Sequence, residues 1–166
     1  VPLSEIHDSS PAFPGSFSVF DRALVLTASH KSGVFITSIS YDRMMAILLY
    51  NMGLSIHVKS LKSGKTRELQ GALQLYEMAF SVIEDKWKEF MLQDLLLLIL
   101  ALCNNMGHIH STLFNAKQTQ TCIEGLQTLV QNSEFLDLMQ RHEYAPFFLN
   151  LLVVLKQNQF CCSPAA

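Results

Sequence analysis

From Tyr41 onward, apolar positions recur every three or four residues. Met45, Leu48, Leu49, Met52 and Ile56 form one such stripe. It predicts a helix over about residues 42–61 with this face turned inward. Ser40 or Asp42 can cap its start, Lys59 and Lys62 bring cations to its last turn, and Gly64 can take the left-handed conformation that closes it. Ala72, Leu75, Tyr76, Ala79, Phe80 and Ile83 define a second helix, about residues 67–84. A third, about 90–112, holds the apolar run 95–103, is apolar on every side there, and should be the most buried element. A fourth, 117–130, groups Cys122, Ile123, Leu126, Leu129 and Val130. A short fifth, 133–141, turns Phe135, Leu136 and Met139 inward.

The two ends follow a different pattern. Residues 1–16 are rich in proline and serine and read as an arm that is ordered only if docked. Phe17, Val19, Phe20, Leu24, Val25 and Leu26 suit a strand, which could hairpin with residues 34–38; a short helix is the rival reading. Near the C-terminus, Pro146 precedes the almost wholly apolar stretch 147–155. Its paired Val153 and Val154 favour a buried strand over a short helix, because a lone N-terminal strand needs a partner. The expectation is one domain over residues 17–160, with a tail at 161–166.

Composition narrows the class. The 166 residues suit a single core. With 49% hydrophobic and 16% charged residues, the chain is low in charge, yet its longest apolar run is half of what a bilayer span needs, so no membrane partner is expected. A net charge of −2 offers no field for nucleic acid. Cys103, Cys122, Cys161 and Cys162 form no CxxC pair, which favours a reducing, intracellular and cytoplasmic setting. No signal peptide opens the chain, and Val1 in place of methionine points to a piece of a longer protein.

One internal echo stands out. Leu-Leu-Tyr-Asn-Met-Gly at 48–53 returns as Leu-Cys-Asn-Asn-Met-Gly at 102–107. Both glycines fall in mid-helix, where glycine costs about 1 kcal/mol relative to alanine, so close approach of another helix is expected. Together with Ala72, Tyr76 and Ala79, the pattern at Leu49, Met52, Gly53 and Ile56 resembles the tetratricopeptide repeat, a helix–turn–helix unit. Cys103, Met106, Gly107 and His110 take the first-helix places of a second unit, but Thr119, Ile123 and Leu126 replace its small–aromatic–small set. The glycines lie 54 positions apart, longer than the family's spacing, and no repeat-closing proline is in place. The resemblance implies a mainly α, helix-hairpin array of about four to five helices, with units at about 42–84 and 90–130. A small β or extended cap from both ends completes the expected fold.

Catalytic motifs fare poorly. Gly64-Lys65-Thr66 matches the end of a phosphate-binding loop, but Lys59 stands where its first glycine belongs. A polar helix–helix turn explains it, and ordinary solvated cations explain the cluster Lys59, Lys62, Lys65 and Arg67. His108 and His110 are two apart on a helix and point to different faces, so no metal is expected. No Gly-x-Ser-x-Gly elbow and no base beside Cys161 and Cys162 is present. The expectation is no enzyme and no cofactor.

The resemblance implies a binding face on the first helix of each unit. Carried over, it comprises Tyr50, Asn51, Leu54 and His57, then Asn104, Asn105, His108 and Ser111. Asparagine is a weak helix former; side-chain amides that bind the backbone of an extended peptide would account for the cluster. The plainer account puts these residues on the solvent side of amphipathic helices. The expected partner is another protein or an extended peptide. The alternatives are a self-associating structural domain and a small-molecule-binding or enzymatic helical domain.

Overall fold

The computed structural model describes residues 18–25, 38–84, 93–131 and 144–161. It is mainly helical. Five helices follow in order: α1 (Ser38–Ser63), α2 (Thr66–Glu84), α3 (Gln93–Thr112), α4 (Ala116–Gln131) and α5 (Ala145–Cys161). Residues 18–25 form neither helix nor paired strand, and no strand occurs among the described residues. The expected helix at 133–141, the arm at 1–16 and the strand partner at 34–37 lie outside them.

α1 and α2 share the most extensive contact in the fold, followed by α3 and α4; α5 packs on α4 and α3. Both pairs are joined by tight turns that fold one helix back on the other. In the first, Gly64 sits at φ 68° and lets the chain reverse before Thr66. In the second, Phe114 takes φ 57°. The Asn115 N–H donates to the His110 carbonyl at 2.8 Å and the Phe114 N–H to that of Ser111 at 3.1 Å, closing α3 in a Schellman pattern. Asn115 then caps α4, its Oδ1 accepting the Gln118 N–H at 3.4 Å.

Four expectations are corrected. The strand at 147–155 is helical, inside α5. An apolar run of that length fits either state, and here Phe147, Leu151 and Val154 bury at helical spacing against α3 and α4. No β cap forms among the described residues. α1 also turns a different face inward, with Leu49 and Ile56 of the expected stripe packed at its edge, half-buried against the core. Ala46, Ile47, Tyr50, Leu54, His57 and Ser60 are buried, whereas Leu48 and Met52 are 49% and 56% exposed. The helix begins at Ser38, so Ser40 and Asp42 lie inside it rather than capping it.

The inward face of α1 is set by how closely α2 approaches. A Cβ on Gly53 would lie 2.9 Å from Cε1 of Tyr76 and 3.2 Å from the Ala72 carbonyl. α3 is the core helix, buried from Leu95 to Asn105 except Leu97. Stretches of α1 (Tyr41–Ser63) and α3 (Leu95–Thr112) are long and apolar enough to cross a membrane, but 72% of the α3 stretch is buried inside the protein, as expected of a core helix; for α1 the share is 39%.

Candidate functional site

The asparagines are not on a solvent face. Asn104 and Asn105 are fully buried, Asn150 is nearly so, and Asn51 is half-buried. Residues 18–25 lie over them, and the carboxamides hold that segment by its backbone. Asn105 accepts the Phe20 N–H at 2.9 Å and donates to the Phe20 carbonyl at 3.0 Å. Asn51 does the same for Leu24, at 3.0 and 2.9 Å. Asn150 does it for Ser18, at 3.2 and 2.7 Å, and also accepts the Ser18 hydroxyl at 2.5 Å. Asn104 adds a second donor to the Ser18 carbonyl at 2.9 Å.

The geometry explains the choice of residue. In extended backbone, the N–H and C=O of one residue point to the same side, and those of the next point away. A carboxamide carries one acceptor and two donors at matching separation. Three helices therefore replace the neighbouring strand: α5 takes Ser18, α3 takes Phe20 and α1 takes Leu24. Arg22, on the same edge, is met by Tyr50, whose hydroxyl shares its one hydrogen between the carbonyls of Phe20 at 3.3 Å and Arg22 at 3.2 Å. The asparagines also brace one another. Asn150 donates to Asn104 at 2.7 Å, and Asn104 to Asn105 at 3.2 Å. Side chains matter at one position above the rest: Phe20 is buried with its ring 4.8 Å from that of Phe147, while Asp21, Arg22 and Ala23 are exposed.

Beneath the segment, a second chain of polar groups runs into the core. Asn105 Nδ2 reaches the Tyr76 hydroxyl at 3.4 Å, which lies 3.3 Å from His57 Nδ1. His57 Nε2 lies 3.0 Å from His108 Nδ1. One set of tautomers satisfies all of it: Tyr76 donates to His57, and His57 donates from Nε2 to His108. Both rings must then be neutral. Burial, reinforced by the neighbouring His108, pushes His57 down to about 3, and burial pushes His108 down to about 4. Burial likewise raises both phenols, Tyr50 further by the nearby Tyr76, against the Asn105 hydrogen bond that lowers each. The site is uncharged at neutral pH, which suits peptide backbone better than ionic ligands.

Of the eight residues expected to form the face, Tyr50, Asn51, Asn104 and Asn105 touch the segment. His57 and His108 pair below it. Leu54 belongs to the core, and half-buried Ser111 contributes its carbonyl to the end of α3. His110 is half-buried, with its basicity lowered by burial. Sequence reasoning missed Asn150, because its surroundings read as a strand. A lone asparagine inside an apolar run was the available signal. It missed Tyr76 as a polar group, having counted it as core. Among the described residues, no three His, Cys, Asp or Glu side chains come together as a metal site would need.

Comparison with protein-family models, with curated proteins and with solved structures finds no match.

Proposed function

We propose that this chain is a binding module for an extended polypeptide segment, a scaffold rather than an enzyme, built as a degenerate tetratricopeptide-like pair of helix hairpins. One observation carries the reading: carboxamides from α1, α3 and α5 hold both backbone groups of residues 18, 20 and 24. Asn51 and Asn105, the matching asparagines of the internal echo, do the same work on α1 and α3. Such a surface recognises any extended chain with a large apolar side chain at one place, as strand addition to a sheet edge does. The buried free thiols Cys103 and Cys122 fit the reducing, intracellular setting expected of the composition.

The test is selection from a displayed random-peptide library, with wild type beside Asn51→Ala/Asn105→Ala. Peptides retained by wild type and lost by a double variant of unchanged helical circular dichroism support the reading. No peptide retained by any form of the chain sinks it.

A second reading, self-association, draws on exposed Leu48 and Met52 of α1 and Leu149 and Leu152 of α5. Sedimentation at rising concentration separates the two, since only the second requires mass to grow.

A further inference from the structure

We infer that residues 18–24 stand in for the ligand: the chain occupies its own groove, and an external segment carrying a large apolar residue at the place of Phe20 competes with it. This rests on the binding-module reading above and specifies both the ligand and what keeps it out.

Four observations support it. Among the described residues the segment has no hydrogen-bonded structure of its own; its bonds run to side chains on α1, α3 and α5. Beside the apolar contact of Phe20 with Phe147, it covers polar groups, Asn51, Asn104, Asn105 and Tyr50, that water solvates readily once uncovered. A segment serving only as a hydrophobic lid would sit on an apolar floor. Apart from buried Phe20, the half-buried Val19 and Leu24 and the Ser18 hydroxyl, recognition is by backbone, so another extended chain can make the same backbone bonds. Finally, the segment belongs to the same chain as the groove, which keeps it at high local concentration.

The consequence is quantitative. A ligand that binds only the open groove has its apparent affinity reduced by the open fraction. If the segment is bound nine-tenths of the time, that reduction is roughly tenfold.

The test uses the full chain and a labelled nonapeptide copying residues 17–25, read by fluorescence anisotropy. Phe20→Asp removes the one buried anchor in cis. Ser18→Pro/Leu24→Pro instead removes the two N–H groups that Asn150 and Asn51 accept, and leaves Phe20 in place. Both opened chains should bind the peptide at least about tenfold more tightly than wild type does. Asn105→Ala in either should abolish the gain, and a peptide with aspartate at the Phe20 place should not bind. Opened chains with wild-type circular dichroism that bind no more tightly than wild type overturn the inference. So does loss of helical signal in both, because the segment is then an integral part of the fold. If library peptides bind wild type while the nonapeptide fails on the opened chains, only this inference falls; if neither binds, the binding-module reading falls with it.

Discussion

Gly53→Ala sets two effects of opposite sign against each other. Alanine favours a helix interior by about 1 kcal/mol over glycine. Its methyl would sit 2.9 and 3.0 Å from two ring carbons of Tyr76 and 3.2 Å from the backbone carbonyl of Ala72. The ring cannot simply swing aside. Tyr76 is fully buried, and its hydroxyl lies between Asn105 and His57. Moving it forfeits bonds worth about 0.5–1.5 kcal/mol each, on top of about 1–3 kcal/mol for overpacking. The steric terms win, and the variant should be less stable by at least about 1 kcal/mol. Gly71 on α2 is the control: a Cβ there meets nothing within 4 Å. Gly71→Ala should therefore show the helical gain, up to about 1 kcal/mol. For a chain of this length, 1 kcal/mol moves Tm by roughly 2–4 °C, so the two variants should melt about 4–8 °C or more apart. Urea unfolding followed by circular dichroism supplies the free energies. A Gly53→Ala protein as stable as Gly71→Ala would refute the close approach of α1 and α2.

Other predictions follow from the same geometry. Asn105→Ala leaves the buried Phe20 N–H without its partner and should cost about 2–4 kcal/mol, whereas Asn51→Ala, where water can replace the half-buried amide, should cost about 1 kcal/mol; equal losses in urea titrations would contradict the burial difference. Stability should fall on acidification from about pH 6.5 towards pH 4. His57 and His108 are held neutral in the folded protein at about 3 and about 4, so in that window the unfolded chain binds more protons. Each such proton contributes a slope of about 1.4 kcal/mol per pH unit. His57→Gln/His108→Gln should flatten the slope, and a wild-type profile level between pH 7 and pH 5 would count against the buried pair. Burial, with the neighbouring Cys122, pushes the Cys103 thiol up to about 12, and burial pushes Cys122 up to about 11. Brief iodoacetamide treatment at pH 8, mapped by mass spectrometry, should leave both unmodified until the protein is denatured.

The helices α1 to α4 were legible because their spacing is local information. Their bounds differ from the expected ones by four residues at most, and Gly64 closes α1 as its position suggested. Which face of α1 turns inward was not legible. Hydrophobicity favoured Leu48 and Met52, but the helix buries Tyr50, Gly53 and His57, because α2 needs the small residue and the polar groups satisfy one another. The same reversal explains the site. The asparagines of the expected binding face are brought together, but their burial depends on residues 18–25 lying across them, a pairing between positions up to 132 apart in the chain. No periodicity within a helix records that. In α5, a uniformly apolar stretch carries no period, and only packing against α3 and α4 decides its state.

The carboxamide ladder also determines which positions can drift in evolution and which cannot. Held by its peptide groups and by Phe20, the segment is free to change at Asp21, Arg22 and Ala23, whose side chains are exposed. The asparagines have no such freedom. Aspartate of the same shape lacks the donors, glutamine adds a methylene that shifts the amide, and serine is too short to reach both backbone groups at once. Selection on this protein should thus fall on the four asparagines of the receptor and one side chain of the occupant, leaving a recognition surface whose two halves need not change in step.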